Sequence, residues 1–244
     1  MQVIYGHRGA SAYAPENTLE AFEMAAQMGA AGVELDVHMT RDGELVVAHD
    51  EAVDRVAFGT GLIAEMTLPQ LKKLRFNRTH PEFTKATIPT LREVYELLKP
   101  LGLCVNAELK NGRIDYPGLE EACIKLADEM GMTDRVLYSS FNHQSMARVK
   151  KIDPSIPCGL LYDCVLIEPW TYAGQISANA LHPHFSEILL NKEEVAKCHA
   201  LGMQVNVWTV NTEDELRQVI DAGADIIISN YPDRGVRIME EKGR

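Results

Sequence analysis

The strongest constraint on this chain is an alternation. Eight short runs rich in β-branched and apolar residues, at 2–6, 32–38, 103–109, 135–140, 157–161, 180–184, 203–209 and 225–229, have helical stretches between most of them. Parallel neighbours cannot be joined by a tight turn, so strands alternating with helices predict a parallel sheet covered by helices. Eight is the number that closes such a sheet into a barrel, and 244 residues fit the roughly 250 that one (β/α)8 unit needs. The helical stretches carry their own signals. Leu19, Phe22, Ala25, Ala26 and Met28 recur at three- and four-residue spacing, as do Val94, Leu97 and Leu98, and Leu216, Val219 and Ile220. Asn17, Thr90, Asn191 and Thr212 each precede a Glu by three positions, which predicts capped helix starts. Gly29, Gly102, Gly131, Gly202 and Gly223 follow helical stretches, where a left-handed residue is wanted.

The alternation breaks in two places. Residues 39–50 read as a hairpin, with Asp42-Gly43 predicting a two-residue type I′ turn into a strand over 45–48. Residues 51–88 hold no clean strand–helix unit, only a short helix around Pro69–Leu74. They are expected to form a small insertion after the second strand, within one domain spanning 1–244.

Charge and composition limit the partners. The formal net charge is −11, and no Lys/Arg-rich run supplies the basic footprint that nucleic acid or an anionic membrane surface requires. No apolar run approaches the roughly 20 residues of a spanning helix, and the start, MQVIYGHRGA, does not read as a secretory signal. The five cysteines are scattered, with no C-x-x-C, as expected of small buried residues in a reducing compartment. A cytoplasmic location follows as the expectation, with no integral membrane segment and no nucleic-acid partner. Nothing in the residues speaks to oligomeric state.

Functional side chains of a (β/α)8 barrel sit at the C-terminal strand ends and the loops that follow. His7 and Arg8 close the first strand. Glu34 and Asp36 lie two apart in the second and so point the same way, while Val33, Leu35 and Val37 face the helices. Glu108 and Lys110 repeat that spacing at the end of the third strand. Buried carboxylates are costly without a partner. A hard divalent cation with oxygen ligands satisfies Glu34, Asp36 and Glu108, and a buried ion-pair network with Arg8 or Lys110 is the competing explanation. His7 and His49 can reach the same rim, beside acids and an Arg, which points to acid–base chemistry oriented by Asp50 and Arg8. His38 is in phase with the two acids and can support them. His182 is a candidate for lining the substrate, and Trp208, with Asn206 on the same strand face, for a substrate wall. His80, His143 and His199 read as surface or packing residues. No P-loop, dinucleotide fingerprint, nucleophile elbow or Cys–His pair is present.

Several blocks, taken in order, extend this reading: HRG (7–9), PENT (15–18), GVELDVHMTRDGELVVAHD (32–50), IPTLREVYELL (88–98), AELK (107–110), SSF (139–141), VWTVN (207–211) and GADIIISNYPD (223–233). Together they resemble the glycerophosphodiester phosphodiesterases. The resemblance implies a TIM barrel with an insertion after the second strand. It implies metal-dependent hydrolysis of a small-molecule glycerophosphodiester to sn-glycerol 3-phosphate and an alcohol. Carried over position by position, it makes Glu34, Asp36 and Glu108 the ligands of one divalent cation, Mg²⁺ or Ca²⁺, with Mn²⁺ also admissible. His7 and His49 become the acid–base pair, Arg8 and Lys110 the phosphate contacts, and Trp208 the glycerol side of the site. Glu16 and Asn17 are expected to support the site and cap a helix. Asn230 departs from the family's frequent Asp and is expected to be structural. Two other functions are compatible: a lysophospholipase-D-like or cyclising phospholipase acting on acylated substrates, and a barrel that binds a ligand without turning it over.

Overall fold

Residues 2–243 are described by a computed structural model. The first strand, β1 (Val3–His7), runs into α1 (Leu19–Gln27) and β2 (Gly32–Met39), and a short β3 (Leu45–Val47) folds back on β2. After α2 (Leu68–Leu71) and α3 (Leu91–Leu101) come β4 (Cys104–Leu109), α4 (Leu119–Glu129), β5 (Val136–Ser140) and α5 (His143–Ile152). The rest of the chain runs β6 (Cys158–Tyr162), α6 (Pro169–Ile176), β7 (Ala180–Pro183), α7 (Phe185–Leu190), α8 (Glu194–Ala200), β8 (Gln204–Val207), α9 (Glu213–Ala222), β9 (Ile226–Ser229) and α10 (Pro232–Lys242). Eight of the strands pair in parallel in the order β1-β2-β4-β5-β6-β7-β8-β9, and β9 pairs with β1 to close the barrel. This is the (β/α)8 TIM barrel expected from the alternation, and each barrel strand lies within two residues of its predicted span.

Strand alternation divides the side chains between two environments. Val33, Leu35, Val37, Val105, Ala107 and Leu109 point outward and are buried against α1, α3 and α4, in a core that also holds Phe22, Tyr95, Leu98 and Leu119. Truncating Leu35, Leu98 or Leu119 to Ala costs about 2–5 kcal/mol, so this shell holds the barrel together. The inward positions of the same strands are polar: Glu34, Asp36 and His38 on β2, Asn106 and Glu108 on β4. A smaller apolar cluster of Tyr5, Ile226 and Ile228, with Val3, Cys104 and Leu137 against it, fills another part of the barrel interior.

Local signals are met unevenly. Thr90 and Thr212 form full capping boxes with Glu93 and Glu215. Asn17 does not cap α1; Thr18 does, accepting from the Ala21 amide. Asn191 closes α7 and donates to the Glu194 carboxylate instead of capping α8, because α7 extends almost to that helix's start. The hairpin turn spans three residues, not two. Gly43 alone is left-handed (φ 84°), its amide bonds to the Thr40 carbonyl, and Thr40 pairs with Glu44. Beyond β3, the insertion builds its own small core from Val53, Val56, Ala57, Ile63, Leu71, Phe76 and Ile88, packed on Val46 and Ala48 of the hairpin. Cys164 is exposed, contrary to the expectation that all five cysteines are buried. Among the described residues, no helix is long and apolar enough to cross a membrane.

Candidate active site

The polar inward residues meet at the C-terminal end of the barrel. Glu34 and Asp36 reach inward from β2, and the register places Glu108 of β4 opposite Asp36. One oxygen from each of the three carboxylates lies within 4.8 Å of the other two. Asp36 is fully buried: its Oδ2 accepts from Asn17 Nδ2 at 2.8 Å, while Oδ1 has no hydrogen bond and only a 3.5 Å approach from Lys110 Nζ. Lys110 Nζ donates to Glu108 Oε1 at 2.8 Å, and Arg8 Nε stands 3.5 Å from Asp36 Oδ2. Burial raises the Asp36 carboxyl, but Lys110, Arg8 and His49 outweigh it and hold the group below the usual carboxylate range. Burial and the carboxylates of Asp36 and Glu108 push Glu34 well above that range. Glu108 is pushed up to about 7 by burial and Asp36, despite Lys110. Three convergent carboxylates, one with an unpartnered oxygen and two held against ionisation, fit a hard divalent cation with oxygen ligands.

The loop after β1 is shaped to serve this cluster. Arg8 adopts a left-handed backbone (φ 55°), which turns its amide onto Glu34 Oε2 at 3.0 Å. Gly9 must be glycine: at φ 80°, an added Cβ would sit 2.5 Å from the Ala21 backbone. Asn17 is also left-handed (φ 57°), and its amide donates to the Arg8 carbonyl, which joins the HRG and PENT segments. This backbone aims the Asn17 side chain at Asp36, which explains why Asn17 is not a cap.

His7 and His49 each have a polar partner on Nδ1. His7 Nδ1 donates to Asn230 Oδ1 at 2.6 Å, leaving Nε2 facing Glu34 at 3.9 Å. Burial, and secondarily Arg8, lower the His7 pKa to about 4. His49 Nδ1 donates to Asp50 Oδ1 at 2.6 Å. Arg55, from the insertion, donates to Asp50 through Nε and to both oxygens of Glu16 through its terminal nitrogens, and Glu16 also accepts from Arg8. One continuous chain of charge thus links the insertion, the His49 loop and the β1 loop. Despite the cost of partial burial, Arg55 and His49 hold Asp50 at about 2. His38 supports this arrangement from below, bonding the Tyr116 hydroxyl and the His49 carbonyl.

Two cavities open here. The smaller, about 80 Å³, is lined by His7, Arg8, Glu34 and Glu108, by Asn106 and Ser139, and by an apolar wall that includes Phe141, Leu161, Trp208 and Ile228. The larger, about 340 Å³, is lined by Asp50, Glu51, Lys110, Arg113 and Asn142 among others. His49, Glu108 and Phe141 border both.

The eight residues to which the family resemblance assigns metal, acid–base and substrate roles (His7, Arg8, Glu34, Asp36, His49, Glu108, Lys110 and Trp208) come together at this mouth. His182 does not line it. It is fully buried, accepts from Asn206 at 2.9 Å and offers its backbone carbonyl to Trp208 Nε1, so it is a packing residue. Sequence reasoning missed Arg55, Phe141 and the part played by Asn230. The departure at Asn230 within a matched block was the available signal for the last of these.

Comparison with known proteins gives the same picture. The glycerophosphoryl diester phosphodiesterase family matches residues 7–234. A glycerophosphodiester phosphodiesterase of Caldanaerobacter subterraneus subsp. tengcongensis is 42% identical over 242 residues, covering 99% of each chain. One from Bacillus altitudinis is 39% identical over 243 residues, again covering 99% of both. A phosphodiesterase from Oleispira antarctica, solved in complex with the product sn-glycerol-3-phosphate, is 32% identical with a TM-score of 0.89, covering 98% of this chain and 97% of that one.

Proposed function

The chain belongs to the glycerophosphoryl diester phosphodiesterase family, and on that premise we propose that it hydrolyses glycerophosphodiesters to sn-glycerol 3-phosphate and an alcohol at a divalent-metal site, with His7 and His49 as the acid–base pair. The observation that carries this reading is the junction. Three buried carboxylates, two cations and His49 lie where a small cavity meets a larger one. A diester has two organic arms, and this geometry offers one cavity to each. The glycerol fits the small one and the variable alcohol the large one, with the phosphate at Glu108 and His49.

Electrostatics set the order of events. The substrate is an anion and the protein carries a net charge of −11, so the site itself must attract it. With all three acids ionised, Glu34, Asp36 and Glu108 outnumber Arg8 and Lys110 by one charge, and a divalent ion held by them would reverse that sign. Held by these residues, such an ion would supply positive charge for the phosphoryl oxygens. Arg8 and Lys110 hold the phosphate from the sides. His7, kept neutral by burial, has its proton on Nδ1 through Asn230, so Nε2 is free to take the proton of the attacking oxygen. His49 borders the cavity assigned to the alcohol and delivers a proton to the leaving oxygen, with ionised Asp50 meeting the charge on its ring. Water suits the nucleophile's place beside His7, and so does the neighbouring glycerol hydroxyl, whose attack would expel the alcohol and leave a cyclic phosphate for water to open to sn-glycerol 3-phosphate.

The test is release of sn-glycerol 3-phosphate from glycerophosphocholine by purified protein, with EDTA and then with Mg²⁺ or Ca²⁺ restored. Loss with chelator and recovery with metal are expected. Release that persists in EDTA rejects the metal-dependent reading, and hydrolysis confined to lysophospholipids replaces the deacylated substrate with an acylated one.

A further inference from the structure

Two buried polar groups beside the acids take no part in the chemistry described so far. Asn106 of β4 is 1% exposed and Ser139 of β5 is fully buried. Asn106 Oδ1 and Ser139 Oγ have no hydrogen-bond partner in the protein, yet both residues line the small cavity. Their positions follow from the register: Asn106 lies beside Glu34 across β2–β4, and Ser139 beside Glu108 across β4–β5. Other inward residues of these and neighbouring strands, such as Leu137, Leu161 and Ile228, are apolar, so the barrel accepts apolar side chains at this depth. An unpartnered buried polar group costs free energy that an apolar side chain of similar shape avoids. Two such groups on one cavity wall mark a place where a polar partner arrives from outside.

We propose that Asn106 and Ser139 form the floor that recognises the hydroxyl groups of the substrate's glycerol, and so select glycerophosphodiesters over phosphodiesters that lack a polyol. The inference rests on the reading above, which places the glycerol in the small cavity. Asn106 Oδ1 accepts from a hydroxyl, and Ser139 Oγ both donates and accepts, which is the pairing a diol needs. Both side chains are uncharged, so they match hydroxyls, while the phosphate is met by Arg8 and Lys110. Phe141, Leu161, Trp208 and Ile228 supply apolar contact for the carbon chain. A volume of about 80 Å³ is several times the roughly 10–15 Å³ that holds one water, which suits a three-carbon polyol. Asn206 and His182 are also polar and inward and bond to each other; Asn206 Oδ1 and His182 Nδ1 are unpartnered too, but neither residue lines either cavity, so they have no share in the floor.

The test is a ratio. kcat/KM is measured for glycerophosphocholine and for bis(p-nitrophenyl) phosphate, a diester without hydroxyls, in the metal-loaded wild type and in Ser139→Ala and Asn106→Leu. Each substitution is expected to lower the ratio of the first to the second roughly tenfold, mainly through KM for glycerophosphocholine. Equal losses on both substrates overturn the proposal, since a merely structural role would move both alike. A second measurement needs no variant: inhibition of the wild type by sn-glycerol 3-phosphate against n-propyl phosphate. Binding of the polyol at least tenfold tighter is expected, and equal inhibition overturns the floor even if both variants fail to fold. A wild type that cleaves only the diaryl ester overturns the glycerophosphodiester reading itself, and the floor with it. Glycerophosphocholine cleavage with an unchanged ratio in the variants rejects the floor alone.

Discussion

Residues 7–110 and residues 139–230 meet across one barrel mouth with different chemistry. The first stretch, on β1, β2, β4 and their loops, brings His7, Arg8, Glu16, Glu34, Asp36, His49, Asp50, Arg55, Glu108 and Lys110. The second brings Ser139, Phe141, Trp208 and Asn230, all neutral. The charged side is locally costly. It keeps three carboxylates buried within reach of one another. The neutral side is made of aromatic contacts, such as Phe141 edge-on to Trp208 at 5.5 Å, and of single hydrogen bonds. Electrostatic stabilisation is worth most where charge develops and water is excluded, so the buried acids and their cationic partners gather on one side of the mouth. Shape and hydroxyl recognition need no charge, and in our proposal the neutral side supplies them together with Asn106 of β4.

Substitutions can break this division or sharpen it. The largest effect is expected on the charged side: His7→Ala or His49→Ala should lower turnover by roughly 10²–10⁴-fold with the fold intact. Near-wild-type rates of sn-glycerol 3-phosphate release in both variants would sink the acid–base assignment. Next, Glu34→Gln, Asp36→Asn and Glu108→Gln should each raise the metal concentration for half-maximal activity by about 10–100-fold. An unchanged metal titration in all three would leave the cluster as an ion-pair network with Arg8 and Lys110.

A third effect concerns stability and comes from the neutral side. Burial lowers the His182 pKa to about 3 from an ordinary 6.5. The unfolded chain therefore takes up a proton near pH 6.5 that the folded chain refuses, and stability is full above that pH and declines below it. Between pH 6.5 and 5 the loss is about 2 kcal/mol through this residue alone. Urea unfolding at pH 7 and pH 5 should show a smaller pH-dependent loss in His182→Asn than in the wild type; equal losses would mean that His182 is protonated in the fold. The smallest effect is expected at Trp208→Leu, a rise of about three- to tenfold in KM with kcat nearly unchanged. A fall in kcat as deep as that of the histidine variants would show that the neutral side also takes part in the chemistry.

Much of this could be read from the chain because the signals are short-range. The two-residue spacing of Glu34 and Asp36, opposite Val33, Leu35 and Val37, specifies an inward and an outward face wherever β2 lies. Eight such strands with helices between them limit the topology to a closed barrel, which brings the ends of β1, β2 and β4 together. Arg55 carried no comparable signal. It lies in a segment without periodicity, and its partner Glu16 is 39 positions away. Asn230 is 223 positions from His7, and nothing near it in the chain shows that its oxygen sets the tautomer of that ring. Asn17 carried a misleading signal: its spacing to Glu20 is that of a cap, but a left-handed backbone turns it toward Asp36 and leaves the cap to Thr18.

Alternation, capping and glycine placement, all local properties, determined the strands, most helix ends and the set of acids and histidines at the mouth. Only the tertiary structure decided which oxygen of Asp36 stays unpartnered, which nitrogen of His7 is free, and that two cavities meet at His49. Those outcomes depend on distances between segments far apart in the chain. Closing the barrel sets such distances, and no local pattern encodes them.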